Sequence, residues 1–371
     1  MLYFLDLSKA FDLIEHDIIL KKLTYFGIRG VALQWFSSYL SNRKQYTFYN
    51  SCVSQQSFVR YGVPQGSILG PLLFLLYIND LCQSSSFFKF ILFADDTTLI
   101  ASHGNFDSLV DFTNRELEKV VNWFLANKLI INCSKTNLLY FSKKCISHDI
   151  STVNLYMNNV QLKFSNSVRF LGVIVDDELK YDNYRYEICS KMSKNIGILY
   201  KLSAILPEKH LFMLYNSLVL PYVQYCNIVW AGTGVSKLDA IFKLQKKALR
   251  ICTHSAYLAP SLPLFHKLNT LNVFDIHKFQ IGVLMFKKKL DKLPSNISRW
   301  FNFNSSIHTY NTRSSSEFHY GKTNKEYMFK LVRHQGPRVW GDIDEDIKLC
   351  SHVNAFKRKL KSSIVSGYSS R

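Results

Sequence analysis

The chain has 371 residues, is 47% hydrophobic and 15% aromatic, and carries a net charge of +19. That composition excludes a disordered chain and suffices for a packed core in about two domains. The best candidate for a membrane span, "PLLFLLYI", is stopped after eight residues by Asn79 and Asp80, far short of the roughly 18 a span needs.

The opening "MLYFLDLSKAFD" lacks the basic region and cleavage site of a secretory signal. The eight cysteines are scattered with no C-x-x-C pair, which fits reduced thiols in an intracellular protein that is not secreted. Cys145 and His148 stand at metal-like spacing without a second pair, so zinc is not expected. Charge is unevenly placed. Residues 1–189 hold 18 Lys/Arg against 17 Asp/Glu, and residues 190–371 hold 28 against 10. A near-neutral first half followed by a basic one suggests a reaction centre joined to a polyanion-binding surface, although a generally basic protein would show the same bias.

In chain order, residues 1–6 read as a buried strand. Residues 15–26 and 31–40 carry helical spacing, punctuated by Gly27 and Gly30. "QYTFYNSCVSQQSFVRYG" alternates around a polar middle, the pattern of a hairpin. "VPQGSILGPLLFLLYINDL" is a turn entering a buried helix, with Pro71 in its first turn. "FFKFILFADDTTLIAS" reads as strand, tight turn, strand. Residues 105–127 form an amphipathic helix with Leu109, Phe112, Leu117, Val120, Val121 and Phe124 on its apolar side. "TNLLYF" is a further strand. Asn158-Asn159 marks another hairpin, and "VRFLGVIVDDELKY" reads as one strand and a turn. Helical spacing then dominates over 185–205, 208–220, 236–253 and 275–290. The Ser/Asn-rich stretch from Pro294 to Tyr320 shows no clear period.

Asp95 and Asp96 lie in an otherwise apolar run, with no Lys or Arg in the five residues that follow. Asp6 ends the first strand. Strand ends meeting in one sheet would bring the three acids within a few ångströms. Carboxylates so placed repel unless a divalent cation supplies the missing charge. Mg²⁺ is held by one or two carboxylates plus substrate phosphates, and an ion pair of that kind suits phosphoryl transfer. The dipeptide alone reads equally as a solvated turn. "GDIDEDIK" echoes a calcium loop but has Ile347 where Gly and Val353 where Glu belong, so it reads as a helix start. No nucleophile-elbow, zincin or P-loop motif is present.

Order changes the weight of these pieces. "FLDLSKAFD", "GVPQGSILGPLLFLLYINDL", "FADD", "ANKLIINCSKT" and "FLGVIVDD" follow one another as they do in the reverse transcriptases of non-LTR (LINE-type) retrotransposons, which this chain strongly resembles over residues 4–175. The likeness continues more weakly through "LFMLYNSLVLPYVQYCNIVW" and "LQKKALRIC". The resemblance implies an α+β fold: a palm with an antiparallel sheet over 1–185 including a primer-grip hairpin, a mainly helical thumb-like region over 186–293, and a basic C-terminal tail region over 294–371.

It further implies that Asp6 and Asp95 bind two Mg²⁺ ions, with Mn²⁺ as a substitute, that Asp96 assists, and that the Leu7 carbonyl touches a metal. Phe11 corresponds to the bulky gate that excludes a 2′-OH, and Pro64, Gln65 and Gly66 to the loop facing nucleotide and template. Gly66 would let backbone approach, and the helix start after it would offer N–H groups to an anion. Lys135 corresponds to a cation near the leaving pyrophosphate. Phe170, Leu171 and Gly172 correspond to the primer grip. By residue type alone, Phe11 also reads as core, Gln65-Gly66 as a plain turn, Lys135 as one of many basic residues, and Phe170-Leu171 as buried strand. Asp12 is expected to cap a helix. The implied partners are an RNA template, a DNA primer and deoxynucleoside triphosphates, with no membrane, and the implied place of action includes the nucleus. Because the chain opens at the Asp6 strand, the family's fingers, its upstream endonuclease and a Cys/His knuckle are expected to be missing. A truncated remnant that only binds nucleic acid is the alternative reading.

Overall fold

The computed structural model describes residues 1–141, 153–307, 317–321, 323 and 326–369; Cys145 and His148 lie outside them. The chain divides into two units, Met1–Leu179 and Lys180–Arg371.

The first unit is mixed α and β. Its elements in order are β1 (Leu2–Leu5), β2 (Leu7–Ser8), α1 (His16–Tyr25), α2 (Val31–Leu40), β3 (Lys44–Gln45), β4 (Phe48–Tyr49), β5 (Cys52–Val53), β6 (Ser57–Phe58), α3 (Leu69–Ile78), β7 (Lys89–Phe93), β8 (Asp96–Ile100), α4 (Phe106–Ala126), β9 (Ile130–Ile131), β10 (Asn137–Leu139), β11 (Tyr156–Met157), β12 (Val160–Gln161), β13 (Ser167–Phe170) and β14 (Val173–Asp176). The antiparallel sheet runs β10-β1-β8-β7. Alternation sorts β1 cleanly. Tyr3, Leu5 and, beyond it, Leu7 are buried, while Leu2, Phe4 and Asp6 on the opposite face are half-buried. The core adds Leu73, Phe74 and Tyr77 of α3 and Leu117, Val120 and Phe124 of α4.

Several expectations need adjusting. In α4 the buried stripe is Leu109, Thr113, Leu117, Val120 and Phe124. Phe112 is exposed instead, because the buried stripe steps by four from Leu109 to Thr113 and again to Leu117, leaving Phe112 at its edge. The span read as one strand and a turn is a hairpin, with Leu171 and Gly172 both at positive φ between β13 and β14, as a two-residue primed turn requires. Asn158 and Asn159 do the same between β11 and β12, as their sequence indicated. Strand β7 is a sheet edge with Ile91 and Phe93 exposed, so its run of apolar residues does not make it core on both faces.

The second unit is helical: α5 (Asp182–Leu202), α6 (Glu208–Leu218), α7 (Leu220–Gln224), α8 (Asn227–Trp230), α9 (Asp239–Cys252), α10 (Ser261–Lys267), α11 (Val273–Lys289), α12 (Ser295–Ser298), α13 (Glu326–Phe329), α14 (Val332–Gly341), α15 (Glu345–Lys348) and α16 (Val353–Ser366). The helix expected over 208–220 stops at Leu218 and restarts as α7, with Pro221 in its first turn. Helices of four to seven residues are too short to show a period, so α7, α8, α10, α12 and α13 left no periodic signal in the sequence. Helix α11 is the spine of this unit. Phe286 stacks on Phe356 of α16 at 4.1 Å, and Trp340 of α14 lies against Phe356 and Phe318. Asp344 precedes α15 and Ile347 faces the core, so "GDIDEDIK" is a helix start.

Candidate active site

The sheet register gathers the acids. Leu5 of β1 pairs with Thr97 of β8, and Phe4 with Thr98; one step further along, Asp6 falls opposite Asp96 on the same face. The β7–β8 hairpin closes on Phe93↔Asp96, leaving Ala94 and Asp95 as the turn, with Ala94 at positive φ. Asp95 and Asp96 are exposed and Asp6 is half-buried. Partial burial raises the pKa of the Asp96 carboxyl, and the negative charges of Asp95 and Asp6 raise it further. The three acids therefore feel one another. Among the described residues no Lys or Arg forms an ion pair with any of them. None of the described His, Cys, Asp and Glu side chains form a group of three able to hold a metal ion. The acids are thus collected at one strand end but not closed into a cage. Uncompensated negative charge is what a bound cation would relieve.

Backbone bonds bring other expected residues to Asp6. Its carbonyl accepts the Asn132 N–H at 2.8 Å, and the Asn132 carbonyl accepts the Lys135 N–H at 3.1 Å. The loop bearing the exposed Lys135 is thereby tied to the acid. Just past Asp6, Leu7 pairs with Ile131 in a separate short ladder, β2 with β9. Phe170 sits 5.4 Å, ring to ring, from Phe4. Phe4 shares a strand face with Asp6, so the Phe170–Gly172 turn is held near that face.

The Pro64–Gly66 loop is docked by its neighbours. The Gly62 N–H donates to Ile14 O at 2.7 Å, the Val63 N–H donates to Phe11 O at 2.9 Å, and His16 Nε2 lies 2.8 Å from Gly62 O. Gln65 Nε2 donates to Asp12 Oδ1 at 2.8 Å. Asp12 makes no helix cap; its carboxylate is engaged by Gln65, and α1 opens at Glu15 instead. Phe11 packs on Phe74 with ring centroids 4.8 Å apart, so its ring is partly core and partly beside the loop. Gly66 has φ +79° with open space around it, whereas a Cβ at Gly62 would lie 2.8–2.9 Å from the backbone of Phe11 and Asp12. The close approach within the chain thus belongs to Gly62. At the start of α3 the Gly70 N–H is already taken by Ser67 Oγ at 3.0 Å. Gly62, Asn132 and the Gln65–Asp12 pair were not singled out from sequence. "YGVP" hints at a glycine-dependent turn, but nothing local marks Asn132 or the pairing of Gln65 with Asp12.

Residues 1–175 match the reverse transcriptase (RNA-dependent DNA polymerase) family. This segment is a reverse transcriptase domain. The chain is 29% identical to the probable RNA-directed DNA polymerase from transposon X-element of Drosophila melanogaster, covering 73% of this chain and 30% of that protein. It is 23% identical to the RNA-directed DNA polymerase from mobile element jockey of Drosophila funebris, covering 80% and 33%. The reverse transcriptase domain is thus of the non-LTR retrotransposon kind, and the chain spans about a third of these relatives' length. A telomerase structure from Candida albicans aligns at TM-score 0.37 and 12% identity over 73% of this chain and 51% of that one, a level on which nothing is built. Reverse transcriptases use divalent metal ions. Among the described residues, no helix is long and apolar enough to cross a membrane.

Proposed function

We propose that this chain is the polymerase core of an RNA-directed DNA polymerase, adding deoxynucleotides to a primer 3′-OH on an RNA template. The observation that carries this reading is the register placing Asp6 opposite Asp96 beside Asp95, with the charges of both neighbours acting on the Asp96 carboxyl. In this reading the first unit is the palm and α5 to α11 form the thumb-like region. Asp6 and Asp95 are the principal ligands of two Mg²⁺ ions, with Asp96 and the Leu7 carbonyl assisting and Mn²⁺ as substitute. Bound there, the ions supply activation of the attacking oxygen and charge relief at the leaving one.

The rest is positioning by this chain. Gln65, fixed by Asp12, presents the Pro64–Gly66 loop to nucleotide and template. Phe11, braced on Phe74, stands where a 2′-OH would need space. Lys135 hangs from the Asp6 backbone through Asn132, on the side where pyrophosphate departs. Phe170, Leu171 and Gly172 hold the primer end against the Phe4 face. The place of action would be intracellular, the nucleus included.

Primer extension on an RNA template with Mg²⁺ tests this, comparing the chain with Asp95→Ala. Extension that disappears in the variant, with unfolding unchanged because Asp95 is an exposed turn residue, is the expected result. Absence of extension by both proteins, with salt-sensitive binding kept by both, refutes the catalytic reading.

A further inference from the structure

The segment 43–61 has a surface that the catalytic reading leaves unused. From Arg43 to Val59 the chain folds back on itself as two short antiparallel ladders, β3 with β6 and β4 with β5, whose register shifts by one residue between them. Val59 N–H donates to Arg43 O at 2.9 Å, Lys44 pairs with Phe58 and Gln45 with Ser57. Ser54 N–H donates to Thr47 O at 2.9 Å, and Phe48 pairs with Val53 and Tyr49 with Cys52. Cross-strand partners share a face, and alternate residues along a strand share a face. Lys44 therefore shares a face with Phe58 in one ladder and Phe48 with Val53 in the other, with Tyr46 on the stretch that joins them. Such a face is ordinarily laid on a core. Here Tyr46 is 59% exposed, Phe48 67%, Val53 61% and Phe58 61%.

Charge identifies the kind of partner. No Asp or Glu occurs between Asp17 and Asp80, while six Lys/Arg do. Three of them flank the rings: Arg43 lies over Tyr39 at 5.4 Å, Lys44 over Phe58 at 5.0 Å, and Arg60 adjoins Tyr61. Rings interleaved with cations, without acids, match single-stranded nucleic acid: bases stack on the rings and phosphates meet the cations. The return strand leads through Tyr61, bridged to Glu15, into the docked loop at Gly62–Gly66.

We propose that this hairpin face is a stacking platform for single-stranded RNA approaching the candidate active site. The proposal rests on the template-directed reading and extends it to a surface away from the acids. Its test uses the full chain and a fluorescent uridine 20-mer, with a blunt RNA duplex for comparison. Tyr46→Ala with Phe48→Ala should weaken single-strand binding roughly 5- to 150-fold per ring lost. Tyr46→Phe should keep it, and Lys44→Gln with Arg60→Gln should shallow the salt slope by about 0.7 per charge. Duplex binding should change little, and ultraviolet crosslinks should map to residues 44–60. The binding readout needs neither primer nor deoxynucleotides, which separates this test from that of catalysis. Unchanged affinity of the alanine pair together with no crosslink in the hairpin overturns the proposal. So does self-association of the wild-type chain that the same pair abolishes, since that would make the face a protein interface.

Discussion

Gly62→Ala tests how the nucleotide-facing loop is held. Gly62 is buried with φ +83°, and the added methyl would meet Asp12 Cα at 2.8 Å, Asp12 O at 2.9 Å and Phe11 O at 2.9 Å. All three are backbone atoms, so no side chain can rotate aside. A left-handed conformation costs alanine about 1–2 kcal/mol. Relieving the overlap means parting the loop from the 10–14 turn, at the expense of the Gly62–Ile14 and Val63–Phe11 hydrogen bonds, about 0.5–1.5 kcal/mol each. The sum is about 2–5 kcal/mol, a large fraction of the 5–15 kcal/mol of a typical domain. Gly66→Ala is the control: its φ is +79° but nothing lies within 4 Å of its Cβ, so only the conformational cost of about 1–2 kcal/mol applies. Urea unfolding measures both, and an unchanged slope would locate the effect in stability rather than compactness. In primer extension, Gly62→Ala should lose on the order of 100-fold, as an ångström of displacement can cost. An alanine at 62 that unfolds within 0.5 kcal/mol of wild type, or no less stably than the alanine at 66, would refute the reasoning.

Two further outcomes are expected. Because the Asp96 carboxyl is raised in the folded chain, its ionised form is disfavoured there. The penalty is absent below the unfolded carboxylate value near 3.9 and sets in as pH rises through it and through the folded value. Asp96→Asn should therefore melt above wild type at pH 7 in a chelator. The gap should close near pH 3 and narrow when a divalent cation is added, and a gap flat across pH contradicts the assignment. In the second unit, Gly336→Ala would press a methyl to 2.6 Å from Met285 Sδ and 2.8 Å from Phe301 Cε1, whereas Gly341→Ala in the same helix meets nothing. Overpacking of about 1–3 kcal/mol outweighs the roughly 1 kcal/mol helix gain at 336, and at 341 only the gain remains. Calorimetry should find opposite signs.

Much of this was legible in the residues themselves. Alternation and spacing are local properties, so the sheet strands, the α4 helix, the Asn158-Asn159 turn and the order of the reverse transcriptase motifs could be read along the chain. The acids of the site announced themselves as charges in apolar strands without nearby cations. What could not be read depends on pairing across distance. That Asp6 stands opposite Asp96 follows from a register set by strands some 90 residues apart. That Asp12 engages Gln65 rather than capping a helix depends on a loop 53 residues later. The Ser/Asn-rich stretch from Pro294 to Tyr320 showed no period, and helices α14 and α16 beyond it were not read from the sequence although they have 10 and 14 residues. Phe318, Trp340 and Phe356 become core through pairing across distance, Phe286 of α11 meeting Trp340 and Phe356, and Trp340 meeting Phe318. The hairpin at 43–61 shows the same division. Its alternation was visible, but only the tertiary structure decides whether its apolar face is covered, because burial belongs to the neighbours a strand meets and not to the strand.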